Sequence, residues 1–411
     1  SPPLTIMANR NFDMPVLVAA AAIGWLWGVG INPRPLALIG LIPVLWTLVG
    51  NRWLAGFVPA FYALSATRGL IGGSMMFFDR GALFGVILWL AAAVPHYCAG
   101  VLCWQRQRTA RILCGIPLLC LVLALPPVML VGWAHPLLAA GLWLPQLHPG
   151  WLALPGMLAL MIIVSATLYQ PRIGRCAFLL LAGGYAVAHY RAPTINTAPL
   201  VRAHQTRFAI GTYGAAPPDA LTILRRHWQM QAMLDADSLD SLLDVFPESV
   251  GGNWDDYLAG QWQDYLRAHH PHKTVLMGAY RRNQGRPEGI IVAITANGIR
   301  TLYTQRLPMT GGMYNPFGTE ANRFRAHWLG TSTAEVAGLR AGFAICFEHV
   351  VLWPMLQTTF SRPAIVIAPA SIWWAPPQLQ NAQRQSLRLW ALWLGVPVIE
   401  AINTNGDSHA Q

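Results

Sequence analysis

Residues 343–348 read Phe343-Ala344-Ile345-Cys346-Phe347-Glu348. A short apolar run, which reads as the end of a buried strand, gives way here to a helical segment. A thiol at such a junction lies near helical N–H groups, which favour thiolate and can receive an oxyanion. Five of the six cysteines (Cys98, Cys103, Cys114, Cys120 and Cys176) lie far upstream in apolar runs, so Cys346 has no thiol partner in its own half of the chain. Taken alone, such a thiol is either buried and inert or kept for its reactivity.

Outward from this segment the texture is layered α/β. Upstream, strands are expected at 207–213, 242–246, 274–280, 289–295 and 299–305, the last pair joined at Asn297-Gly298, a tight-hairpin signal. Helices are expected at 217–235 and 254–268. A strand pair covers 334–347. Downstream follow a helix at 349–360, a strand at 364–369, a helix at 377–394 and a strand at 397–402. Helices between short, continuous apolar strands mean buried sheets with helical faces. A second carboxylate is presented where the strand at 242–246 ends. In Val245-Phe246-Pro247-Glu248-Ser249 the proline stops the strand, and Glu248 could take a thiol proton as general base.

The first 190 residues differ. The 411-residue chain is 54% hydrophobic and only 11% charged, against about 25% charged in ordinary soluble proteins. Helices are expected at 14–31, 36–50, 53–67, 82–104, 111–133, 151–169 and 176–191. A span needs about 20 apolar residues, which 82–104, 111–133 and 151–169 supply. Pro126 and Pro127 are expected to kink the fifth run. With a cytoplasmic N-terminus, Arg10, Arg52, Arg106, Arg108, Arg111, Arg172 and Arg175 fall inside, and Arg34, Arg68 and Arg80 outside. The domain layout expected is a membrane domain over 1–191, a junction over 192–206 and a globular domain over 207–411. Seven crossings put the globular domain outside, in the periplasm of a bacterial inner membrane.

The net charge of +11 comes almost wholly from arginine, since Lys273 is the one lysine. It sits partly in short loops, so direct nucleic-acid binding is not expected. The spans lack the paired ionisable residues of a transporter; His96 is either a satisfied buried histidine or a functional group. His269-His270-Pro271-His272 lacks a helical i, i+4 pair and reads as a solvated loop, so no metal and no cofactor is expected.

Pro247-Glu248-Ser249 and Cys346-Phe347-Glu348, each at the end of a strand, resemble the nitrilase (carbon-nitrogen hydrolase) superfamily. Within it they resemble the membrane-bound apolipoprotein N-acyltransferases. Gln305-Arg306-Leu307-Pro308-Met309, Gly312-Met313-Tyr314, Trp353-Pro354 and Trp373-Trp374 resemble most a branch linked to conjugal plasmid transfer. The resemblance implies a helical membrane base carrying a periplasmic nitrilase-type αββα sandwich. It implies Cys346 as nucleophile, Glu248 as base, and Glu348 as a further catalytic carboxylate. A phospholipid would be the acyl donor, and a lipoprotein amine or the conjugation machinery the partner. Phe347, Trp373, Trp374 and Tyr303 would bind substrate. The superfamily's triad also has a lysine, and the matching stretch, Tyr303-Thr304-Gln305-Arg306-Leu307, has none. Arg306 is the nearest cation, able to hold an oxyanion but not to exchange a proton. Glu320, in Pro316-Phe317-Gly318-Thr319-Glu320, is displaced from the corresponding family position. A catalytically impaired envelope protein that supports transfer by binding is the alternative.

Overall fold

The computed structural model describes residues 13–404, apart from 132, 146, 148–149, 170–200, 211–218, 237–240 and 316–322. The helix expected at 176–191 and Glu320 lie outside the described residues.

The apolar half contains α1 (Asp13–Trp25), α2 (Ile42–Leu48), α3 (Arg52–Ala66), α4 (Leu70–Phe78), α5 (Ala82–Cys103), α6 (Ile116–Leu123) and α7 (Ala153–Leu168). Among the described residues, two helices can cross a membrane by length and composition: α5, and Gly150–Leu168, in which a short 3-10 turn leads into α7. A third crossing is available if α3 and α4, bent by 59° at their junction, form one broken span. The run 111–133 does not make a continuous span. Its helix stops at Leu123, ahead of Pro126 and Pro127, and a short turn, Val128–Val131, follows. Proline cannot donate to the helical ladder and its ring disfavours helix in the preceding residue. Helix α4 was not anticipated.

The other half is a four-layer αββα sandwich. Its first sheet orders β1 (Val201–Ala203), β2 (Leu243–Val245), β3 (Thr274–Asn283), β4 (Arg286–Thr295) and β5 (Gly298–Thr304). Strands β1–β3 run parallel and β3–β5 antiparallel. The second sheet orders β6 (Thr333–Val336), β7 (Leu339–Phe343), β8 (Ile365–Ser371) and β9 (Val398–Asn403), with β7–β9 parallel. Leu243, Val245, Leu276 and Ile291 of the first sheet share one core with Phe343, Ile367, Ile399 and Ala401 of the second. Helices α8 (Ala220–Asp235) and α9 (Asp256–His269) cover the first sheet, where Met230, Trp262 and Leu266 meet Val275, Met277 and Val292.

Helices α10 (Leu352–Phe360) and α11 (Pro377–Leu394) cover the second sheet. Their Leu352, Met355, Trp390 and Trp393 belong to the same core as Trp46, Ile116, Leu138 and Met157 of the apolar half. One helical layer therefore serves both halves. The strand expected at 207–213 does not form over 207–210. Asn403 clasps Phe208 instead, its amide accepting from the Phe208 N–H and donating to the Phe208 carbonyl. The pairing strand is β1, inside the stretch expected to be a junction.

Candidate active site

Glu248 and Cys346 come from different sheets and meet at the sandwich's edge. Glu248 follows β2 and is brought against β3 by the absence of a side chain at Gly278: a Cβ there would lie 2.5 Å from Glu248 Cα. Cys346 follows β7 and opens a 3-10 turn, Cys346–His349. Its φ of +48° is a conformation that L-residues adopt at a cost of about 1–3 kcal/mol, held only where the surroundings impose it.

Both side chains are buried. The Ser371 N–H, at the end of β8, donates to Glu248 Oε2 at 3.0 Å. The Ser371 carbonyl accepts a long bond, 3.9 Å, from Cys346 Sγ–H. Glu248 Oε1 has no hydrogen-bond partner among the described residues. Burial pushes the Glu248 carboxyl up to about 7, the thiol and the Ser371 N–H pull it back, and the charge of Glu348 adds to the rise. Burial, then the Glu248 charge, holds the thiol well above its ordinary range, while the backbone N–H groups of Ser371 and Phe347 oppose this. The resting pair is thus a thiol beside a carboxyl poised near neutrality, a setting suited to proton exchange.

The other expected residues divide. Phe347 is buried and lines a small cavity with Cys346, Trp133, Met309, Trp374 and Gln383. Trp133, Met309, Phe347 and Trp374 also line a larger apolar cavity of about 290 Å³. Its far wall is Leu70, Phe77 and Phe78 of α4 with Phe84 and Leu88 of α5. Trp374 therefore stands between thiol and apolar helices. Trp373 does not share these walls; it faces a separate, more polar cavity with Arg207, Arg384 and Glu400.

The structure places Arg306, Glu348 and Tyr303 behind the turn, bonded to one another rather than lining these cavities. Arg306 Nε donates to Tyr303 Oη, Nη1 to the Pro354 carbonyl and Gln357, and Nη2 to the Phe343 carbonyl and Thr358. Five donors are all a guanidinium has, so none is left for an oxyanion. Glu348 accepts four bonds: from the backbone N–H groups of Arg306, Leu307 and Ile345 and from Tyr303 O–H, at 2.6–2.9 Å. Tyr303 is enclosed between them rather than facing a cavity. The three form a buried clasp fixing the turn that carries Cys346. Within the same stretch Gln305 also approaches the turn, Nε2 donating to the carbonyl of Ile345, just ahead of it, at 3.4 Å. Lys273 serves elsewhere, bonded to Ser241 and Asp244. His270 pairs with Asp235.

Ser371, Gln383 and Gly278 were not anticipated. Ser371 acts through its backbone, which leaves no mark on residue type. Gln383, on α11, had one available signal: an amide on the apolar face of a helix.

No protein-family model matches the chain. Over nearly its whole length it is similar to two curated proteins. One, named conjugal transfer protein TraB, from Agrobacterium fabrum, is 28% identical over 405 residues, covering 94% of this chain and 91% of that protein. The other, named probable conjugal transfer protein TraB, from Sinorhizobium fredii, is 27% identical over 393 residues, covering 94% and 96%. Among solved structures, a Nesterenkonia amidase of the nitrilase superfamily matches 50% of this chain and 77% of its own, at 12% identity and a TM-score of 0.37. A carbon-nitrogen hydrolase from Helicobacter pylori matches 49% and 72%, at 15% identity and a TM-score of 0.36.

Proposed function

We propose that this chain is a membrane-seated cysteine acyltransferase or amide hydrolase of the nitrilase kind, working alongside conjugal plasmid transfer. The observation that carries the reading is the Glu248–Cys346 pair, buried at the end of apolar cavities whose far wall is α4 and α5. The link to conjugal transfer rests on the name its relatives carry.

In the mechanism, the thiol hydrogen swings from the Ser371 carbonyl to Glu248, which takes the proton. Sγ bonds to the acyl carbon, and the oxyanion falls to the Phe347 N–H. Collapse of this adduct breaks the bond to the leaving group, which takes the proton from Glu248. The thioester then passes to an amine or to water, whose proton returns through Glu248 to the sulfur. A phospholipid is the donor that a cavity walled by membrane helices suits, and a lipoprotein's amine is the proposed acceptor. The N-terminus is cytoplasmic and the sandwich periplasmic, on the arginine distribution.

A second reading is an envelope protein that binds without catalysis. The full engagement of Arg306, which leaves that cation unable to face an oxyanion, favours it. Intact-protein mass spectrometry after incubation with phospholipid separates the two. A hydroxylamine-sensitive acyl adduct, lost in Cys346→Ala, supports the enzyme. A folded protein with an alkylatable Cys346 and no adduct supports the binding role.

A further inference from the structure

The strained turn at Cys346 is held from one side by α11. Gln383 Nε2 donates to the Cys346 carbonyl at 3.1 Å and to His349 Nδ1 at 2.8 Å. His349 Nε2 in turn donates to the Ala344 carbonyl at 3.0 Å. One turn along α11, Ser386 Oγ donates to the His349 carbonyl at 2.6 Å. Gln383 is 9% exposed and its neighbours around the thiol are apolar: Trp133, Met309, Trp374 and Leu379. A primary amide set among such groups is stable only if bonded, and both of its donor bonds go to the nucleophile's turn.

We infer that Gln383 is a positioning residue for Cys346, acting with His349 to fix the carbonyl of the nucleophile. The peptide plane it holds is the one linking Cys346 to Phe347. Fixing the Cys346 carbonyl therefore fixes the direction of the Phe347 N–H, one of the two backbone groups that favour the thiolate. A neutral amide suits this task, because it donates to a carbonyl and a ring nitrogen together and adds no charge beside a thiol that must ionise. Burial lowers His349 to about 4, so that ring stays a neutral acceptor at Nδ1.

The inference rests on the reading of Cys346 as a nucleophile, so two readouts are needed: the rate of Cys346 alkylation by iodoacetamide against pH, and acyl-adduct formation from phospholipid vesicles. The variants are Gln383→Met, which keeps volume but loses both bonds, and Gln383→Glu. The titratable groups on the elements around position 383 are Cys346, Glu348 and His349 on the turn and Glu248 across the thiol; Arg384, next along α11, is turned to Glu400 of β9.

Gln383→Met is expected to slow adduct formation by about 100-fold, the scale of a small misplacement at a reacting centre. Its alkylation profile moves to higher pH, because the Phe347 N–H no longer favours thiolate. Gln383→Glu is expected to work best at low pH, where a protonated carboxyl still donates to the Cys346 carbonyl, and to fade as pH rises while the parent protein gains. Parental profiles in both variants, or rate losses that merely follow loss of folded protein, would overturn the inference. If the parent forms no acyl adduct, the displaced alkylation profiles still decide for or against Gln383, and the acyl reading alone is lost.

Discussion

Burial holds Glu248 near 7 from an ordinary value of 4.5, so its protonation links stability to pH. A carboxyl whose pKa is raised by folding contributes stability that is complete below the unfolded value and is lost as pH rises through the folded one. The difference corresponds to something on the order of 3 kcal/mol for a fully buried group. The parent protein should thus lose stability between about pH 4.5 and 7, while Glu248→Gln, which carries no ionisable group, should not. Denaturation midpoints in detergent at pH 5 and pH 8 check this. The expected result is a variant more stable than the parent at pH 8 and unable to form the acyl adduct; equal midpoints at both pH values would mean the carboxyl is not desolvated. Arg306 gives the opposite expectation. Because its five donors hold backbone and side chains of three segments, Arg306→Lys should destabilise by roughly 3–5 kcal/mol, the scale for breaking a buried charged network, and Cys346 alkylation should change no more than unfolding explains. The Glu and Cys were legible in sequence because a proline-stopped strand and a lone thiol at a strand's end mark them. The clasp was not, since which way Arg306 points depends on Phe343, Pro354 and Thr358, about 40 to 50 residues away.

At the scale of elements, α11 has two working faces. Gln383 and Ser386 hold the nucleophile's turn. Asn381, Gln385 and Arg388 hold the loop after α1: Gly28 N–H donates to Gln385 Oε1 at 2.8 Å, and Arg388 donates to the Ile31 carbonyl at 3.0 Å. Gly28 takes a φ of +79° there, and a Cβ on it would lie 2.4 Å from the Gln378 carbonyl. Gly141 is similarly placed, since a Cβ would lie 2.3 Å from the Leu389 carbonyl. Gly141→Val should therefore lever α11 away from the apolar half. The expected cost is roughly 1–3 kcal/mol, as for other overpacked sites, read as a lower denaturation midpoint. Proteolysis within α11 should rise in parallel, and unchanged protection there would refute the packing argument. The helix itself was read from sequence at its observed bounds, 377–394, because a proline opens it and Gly395 closes it. Strand β1 escapes a sequence reading: three residues carry too little periodicity, and the choice between 201–203 and 207–210 is made by a side chain, Asn403, that lies 195 residues beyond Phe208 in the chain.

At the scale of the whole molecule, the two halves share a core, and the cavity leading to the thiol belongs to both. Leu88 and Phe84 close it on the α5 side, Trp374 and Phe347 on the side of Cys346. Leu88 is itself partly exposed on the outer surface of α5, a helix able to cross a membrane. An acyl chain arriving from lipid would thus meet α4 and α5 before it met the sulfur. This fixes what a blocking substitution must do. Ser74 lies on α4 in the cavity wall, and Ser74→Trp would place an indole in a space of about 290 Å³ without touching Glu248 or Ser371. Adduct formation from a long-chain phospholipid should fall by at least about tenfold. Alkylation by iodoacetamide, which is small and needs no chain-sized cavity, should continue at the parental rate. A short-chain thioester offered in solution should still acylate Cys346, since its chain ends near Trp374. Equal loss with short and long donors would mean that the chain does not lie between the halves, and that α4 and α5 support the sandwich without admitting lipid. Equal retention with both would place the entrance elsewhere. The graded result, long donors lost and short donors kept, is the one that follows from a cavity built jointly by a membrane helix pair and a nucleophile's turn.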